Sequence, residues 1–172
     1  METVKDQPCM MCMDKKGLTL TQDETEVPYF GKVFVFSMSC SKCKYSKSDI
    51  EVEKQREGAK YTFEVASKED LKVRVIRSSE GSVDIPRIGS IEPGENAEGF
   101  VSNVEGVLQR FQKQVEHLRD SADDIKDRKK AKNLLKKIQK VLWGEESITI
   151  SIKDKSGNSA IVSDKAKVEK VK

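Results

Sequence analysis

The sequence has a single histidine, no apolar run approaching the ~18 residues that cross a bilayer, and no large excess of either charge. Each shortage excludes something. One histidine cannot supply the two imidazoles and a carboxylate of a non-haem iron oxygenase, and His117 sits off the apolar stripe of its helix, where a solvated surface position is expected. With 32 basic and 29 acidic side chains the net charge is only +3, so no global positive field exists to grip nucleic acid, and any such surface must be local. No Gly-x-x-x-x-Gly-Lys-Ser/Thr loop is present, which removes nucleotide hydrolysis by that route. A nucleophile elbow is missing too. No catalytic residue is expected, and an enzyme is not the expected class. The short polar start, Met1 to Pro8, carries no secretory signal, so the expectation is a soluble cytoplasmic protein without a membrane segment.

What is present is patterned. A chain of 172 residues suggests one to two domains. Charged residues reach 35% against 36% apolar. That is more polar than an average domain, yet the apolar residues fall in periodic runs that disordered chains lack. Lysine and glutamate dominate the charge, as they do in many thermophile proteins.

The four cysteines lie in the first quarter as Cys9-x-x-Cys12 and Cys40-x-x-Cys43. Val33-Phe34-Val35-Phe36 before the second pair is a strand signal, and a small cysteine module is placed at residues 1–48. From Ile50 the period stays at two. Ile50 and Val52, then Tyr61, Phe63 and Val65, then Leu71, Val73 and Val75, then Val83 and Ile85 read as half-buried antiparallel strands. Then the period changes. Val104, Val107, Leu108, Phe111, Val115 and Leu118 share one helical face, with Ser102 or Asn103 as the N-cap. After a polar break from Arg119 to Asp124, a second helix carries Ile125, Leu134, Leu135, Ile138, Val141 and Leu142 and ends before Gly144. The pair reads as an antiparallel hairpin at about residues 102–142. Strand periodicity returns at Ile148, Ile150 and Ile152, with a turn at Lys155 to Asn158 and a last strand at Ala160 to Val162. The lysine-rich tail from Asp164 is expected to fray. The simplest topology is a mostly β domain over residues 49–172 with the helical hairpin inserted between its strands.

Two Cys-x-x-Cys pairs make the most specific signal. Each pair forms a tight knuckle whose sulfurs face one point, and two knuckles complete the tetrahedron of thiolates that Zn²⁺ accepts. Cys9, Cys12, Cys40 and Cys43 are therefore the expected ligands of one zinc ion. Lys15, Lys16, Lys42 and Lys44 flank the knuckles and offset the negative charge of a tetrathiolate site. Structural disulfides are disfavoured in an intracellular chain, and a redox dithiol needs only one pair beside a βαβ unit; an iron site of the rubredoxin kind stays open. Four thiolates leave no position for a reactive water, so the zinc is structural. Met10, Met11 and Met13 surround the first knuckle, either as an adaptable binding surface or as packing over the metal.

These features together resemble the ZPR-type zinc-finger proteins across almost the whole chain. The resemblance is carried by the cysteine pairs with Phe34 to Ser39, Tyr45 and Ser46. It continues in Arg77-Ser78-Ser79, Asp84-Ile85-Pro86 and Ile91-Glu92-Pro93-Gly94, in Glu98 to Leu108, and in Lys153 to Ser159. Eukaryotic members look like two tandem modules; this chain holds one, and so resembles the archaeal single-module form. The resemblance implies a zinc ribbon joined to a double-stranded β-helix, jelly-roll-like, that carries a helical hairpin. It also implies a non-enzymatic protein that binds partners, notably translation elongation factor one alpha, as an adaptor or folding helper. Family knuckles commonly place glycine after the second cysteine of a pair. Here Met13 and Lys44 stand there, so either they take a left-handed turn or the knuckle differs.

The second helix is basic, with Lys129, Lys130, Lys136 and Lys137 prominent among its cations. One reading is a contact to RNA or to the ribosome; the other is a solvated helix face. Few aromatics interleave with these lysines, which counts against single-strand recognition.

Overall fold

In the computed structural model, residues 1–28, 30–54, 56–94 and 97–171 are described. An antiparallel sheet comes first, in the order β1 (Glu2–Gln7), β2 (Leu18–Val27), β3 (Gly31–Cys40) and β4 (Ser46–Val52). β2 and β3 form a long hairpin that pairs Leu18 with Cys40 at one end and Val27 with Gly31 at the other. The ladder thus ends at Cys40 on one side and among apolar side chains on the other. The sheet continues through Val52, past the module edge expected at Ser48.

The remaining strands are β5 (Ala59–Val65), β6 (Arg74–Arg77), β7 (Ser82–Ile85), β8 (Gly89–Ile91), β9 (Phe100–Asn103), β10 (Ile148–Asp154), β11 (Ala160–Val162) and β12 (Lys167–Lys170). They make a five-stranded sheet, β12-β5-β10-β7-β8, and a three-stranded one, β11-β6-β9. Alternation explains the packing. Ile148, Ile150 and Ile152 of β10 are buried, and Ile148 and Ile150 pair with the buried Val65 and Phe63 of β5. Side chains from both sheets enter one core with Val104, Val107, Leu108, Phe111 and Val115 of α1 (Val104–Ser121) and with Ala131, Ile138 and Val141 of α2 (Ile125–Trp143). This is the mostly β, jelly-roll-like body with an inserted helical hairpin.

The helices start where their caps dictate. The side chain of Asn103 accepts from the Gly106 N–H at 2.8 Å, and Asp124 accepts from the Lys126 N–H at 2.9 Å. α2 ends at Gly144, whose N–H returns to the Val141 carbonyl.

Four expectations change. The tail does not fray: β12 pairs with β5, and Lys165 reaches the buried Asp70 at 2.9 Å; Lys172 lies outside the described residues. Leu71 is not in a strand but in the 3₁₀ turn Asp70–Lys72, still buried. Met1 to Pro8, read only as a polar start, contains the edge strand β1. Leu118 and Ile125, placed on apolar helix faces, are 62% and 68% exposed, at the end of α1 and the start of α2, where the two helices connect.

The two parts share a seam. Val27, Phe30, Val33 and Ile50 from the first sheet pack with Ile76 of β6 and Ala160 of β11 in one cluster. Polar bonds follow the same line. The Ser79 N–H donates to Asp49 at 2.8 Å, and the Gly99 N–H to the Ser48 carbonyl at 2.9 Å. A Cβ on Gly99 would fall 2.8 Å from the Ile50 nitrogen, so only glycine lets this loop lie against β4.

Candidate metal centre

The two knuckles are built alike. In the first, the Cys9 N–H donates to the Asp14 carbonyl at 2.8 Å and the Met13 N–H to the Cys9 carbonyl at 2.9 Å. In the second, the Cys40 N–H donates to Tyr45 at 2.8 Å and the Lys44 N–H to Cys40 at 3.1 Å. Met13 and Lys44 close these turns at φ of 59° and 61°. The open choice is decided: both take the left-handed conformation in place of glycine. The Ser41 N–H donates to the Gly17 carbonyl at 2.9 Å and ties one knuckle to the other.

The four sulfurs converge, all within 4.8 Å of one another. Cys9 Sγ lies 3.8 Å from Cys43 Sγ, and Cys12 Sγ lies 3.7 Å from Cys40 Sγ. A tetrahedron with Zn–S bonds of about 2.3 Å has edges of about 3.8 Å, so these donors fit the ion. The separations are far above the roughly 2.05 Å of an S–S bond, and all four cysteines are free thiols.

Electrostatics favour a cation at this point. The backbone N–H of Cys43, then that of Lys42, draws the Cys40 thiol down to about 6. The Tyr45 N–H favours a Cys43 thiolate, but desolvation and the sulfurs of Cys40, Cys12 and Cys9 outweigh it and push that thiol up to about 12. One thiolate forms readily and the next is repelled by it; a divalent ion removes that repulsion.

Cys9 and Cys40 are buried while Cys12 and Cys43 are exposed, so the site sits at the molecular surface. Leu18, Met38 and Tyr45 pack beneath the buried pair. Met10, Met11 and Met13 do not cover the metal site: they are 66%, 63% and 80% exposed. Lys15, Lys16, Lys42 and Lys44 are exposed around it. Gly17 is a site residue that the spacing of the cysteines did not reveal. A Cβ there would come 3.0 Å from Cys40 Sγ and 3.0 Å from Asp14 Oδ1. Its need for a bare α-carbon arises from chain segments that meet only in the fold.

Other singled-out residues lie elsewhere. His117 is exposed. Lys129, Lys130 and Lys136 are exposed on α2, Lys137 is half-buried, and Lys130 pairs with Asp127 at 3.1 Å. The polar turn at Lys153 to Ser159 turns its acid inward. Asp154 is buried and accepts from Ser78 Oγ at 2.7 Å and from the Ser156 N–H at 2.7 Å. Burial opposes its ionisation, but the serine donors outweigh that and hold its pKa below the ordinary carboxylate value. No helix among the described residues is long and apolar enough to cross a membrane.

Comparison with known proteins agrees with this architecture. A family model described as the ZPR1 zinc-finger domain matches residues 3–56, and one described as the ZPR1 jelly-roll domain matches residues 69–172. A ZPR1-like protein of Methanocaldococcus jannaschii is 40% identical over 94% of this chain and 82% of its own length. Another from Pyrococcus horikoshii is 38% identical over 95% of this chain and 75% of its own. The zinc finger chaperone zpr1 of Schizosaccharomyces pombe is 33% identical over 89% of this chain, which spans 33% of that longer protein.

Proposed function

The chain belongs to the ZPR1 zinc-finger family, and on that premise we propose that it is a non-enzymatic, zinc-dependent partner-binding module, an adaptor or folding helper for translation elongation factor one alpha. Cys9, Cys12, Cys40 and Cys43 hold the zinc. The division proposed at residues 1–48 and 49–172 falls within β4 (Ser46–Val52), the strand at the seam between ribbon and body. The chain works in the cytoplasm.

The observation that carries this reading is the site itself. Four convergent sulfurs would complete a tetrahedral coordination sphere and leave a bound ion no position for substrate or water. Its task is to fix the shape of two knuckles, the first of which turns Met10, Met11 and Met13 to solvent. A rigid metal-held surface with flexible apolar side chains suits recognition. The chaperone name of the fission-yeast relative points the same way.

Zinc-loaded chain and purified elongation factor one alpha, mixed at micromolar concentration, are expected to co-elute as a complex. The chain is also expected to raise the yield of active factor refolded from denaturant. No complex and no gain in yield with a metal-loaded chain would reject the elongation-factor reading.

A second reading rests on the exposed lysines of α2. Contact with RNA or the ribosome predicts binding that falls steeply with salt and with Lys129, Lys130, Lys136 and Lys137 changed to Glu. Absent or salt-insensitive RNA binding would reject it.

A further inference from the structure

The apolar stripe of the helical hairpin runs on beyond its buried part. Along α1 the apolar stripe is buried through Val115, which is 4% exposed, and one turn later Leu118 is 62% exposed. On the facing helix, Ala131 and Leu134 continue the inner face of α2 toward the tip. Between the helices a groove of about 430 Å³ is floored by Val115, Leu118, Ala122, Ala131 and Leu134. It continues the inner, core-type face of an amphipathic hairpin out to solvent, where Leu118 is exposed.

Its surroundings are charged on one side. α2 carries eight cationic side chains against one acid, Asp127, which lies at the groove and is engaged by Lys130 at 3.1 Å. Lys130 lines the groove, and Lys126 and the half-buried Lys137 share its helical face by spacing. The α1 side contributes the uncharged Ser121.

We propose that this groove docks an acidic amphipathic helical segment of another protein, with its apolar residues on Leu118 and its carboxylates along Lys126, Lys130 and Lys137. The chemistry selects this occupant. RNA would use the lysines but has no use for an aliphatic floor, and among the described residues no aromatic side chain lines the groove for base stacking. A second copy of the chain would set one cationic α2 against another. A helix with leucines at three- and four-residue spacing and glutamates beside them satisfies floor and flank together. The proposal rests on the reading that the chain binds proteins and does not depend on the elongation factor being the partner.

The test uses the full zinc-loaded chain and a fluorescent helical peptide of leucines at that spacing with glutamates elsewhere. The same peptide with lysines for glutamates, and an oligouridylate, serve as controls. Saturable binding of the glutamate peptide alone is expected, with Ala131 and Leu134 methyl signals shifting in NMR. Leu118→Asp, a change at an exposed position, is expected to weaken binding by roughly tenfold or more, as loss of a central anchor does. Lys126→Glu with Lys130→Glu should do the same, and thermal melting should verify that each variant folds. Equal binding of the two peptides would overturn the proposal, as would Leu118→Asp binding like the parent. Oligouridylate binding lost in the lysine variant but not in Leu118→Asp would assign the surface to RNA instead. Self-association abolished by Leu118→Asp would assign it to a second copy. A failed elongation-factor complex leaves the peptide result unaffected, so the two readings fail separately.

Discussion

Asp49 of the first sheet accepts from both the backbone N–H and the hydroxyl of Ser79 in the body. The carboxylate therefore replaces a strand pairing where the two parts meet, beside the shared cluster of Val33, Ile50, Ile76 and Ala160. Asp49→Ala would strand a partly buried N–H. It is expected to lower unfolding stability by about 1–3 kcal/mol, read by urea denaturation, with the variant opening at the seam by hydrogen exchange. A variant as stable as the parent would show that the apolar cluster alone holds the seam.

Met13 and Lys44 take left-handed backbone that costs a side-chain-bearing residue about 1–2 kcal/mol. Glycine removes that strain and returns roughly 0.5–1 kcal/mol of it as lost chain freedom. Lys44→Gly is thus expected to stabilise the metal-loaded chain by about 0.5–1 kcal/mol and to slow zinc loss to a chelator. Equal or faster loss would mean that the lysine contributes more through its charge beside the thiolates than its backbone costs.

Much of the fold was legible because burial writes itself into sequence period. β10 declares its buried face through Ile148, Ile150 and Ile152, and α1 through Val104 to Val115. β1 and β12 were not legible. Every residue of β12 and all but Gln7 of β1 are exposed, so no face demanded apolar residues and only backbone pairing makes them strands. The end of the apolar stripe misled for the opposite reason: Leu118 fits the helical period, but period says nothing of how far burial reaches. At the candidate metal site the convergence of the four cysteines was plain from their spacing, and Gly17 was not, because its constraint is a tertiary contact with Cys40 Sγ.

Asp70 links the C-terminal segment to the body. Lys165 donates to one carboxylate oxygen at 2.9 Å, and the N–H groups of Ala66 and Ser67 donate to the other at 3.0 Å each. Lys165 first, then the Ala66 N–H and the Ser67 hydroxyl, overcome burial and lower its pKa from 3.8 to about 2. A depressed carboxylate stabilises the fold above its unfolded pKa and loses that contribution as pH falls through the folded one. Asp70→Asn should therefore be less stable than the parent at neutral pH, by an amount on the order of 1–2 kcal/mol. The gap should close between about pH 4 and pH 2. Thermal melts across that range check it, and a gap independent of pH would assign the effect to packing.

Metal removal should act at one end of the β2–β3 hairpin. Beneath the sulfurs, among the described residues, the only buried apolar support is Leu18, with Met38 and Tyr45 partly buried beside it. At the other end Val27, Phe30 and Val33 are clamped by the body. Binding energy of a structural zinc is folding energy for the segment that lacks a core of its own. Elemental analysis of the native chain should find one zinc per chain, and Cys40→Ser should lose it. After chelation the amides of Met13 and Lys44 should exchange freely, because their acceptors are the knuckle cysteines themselves. The ladder should then fray from the Leu18–Cys40 pair toward Val27–Gly31, while the amides of Phe63 and Ile150 keep their protection. Collapse of protection throughout β5 and β10 on chelation would overturn this order of opening and make the body's stability depend on the metal as well.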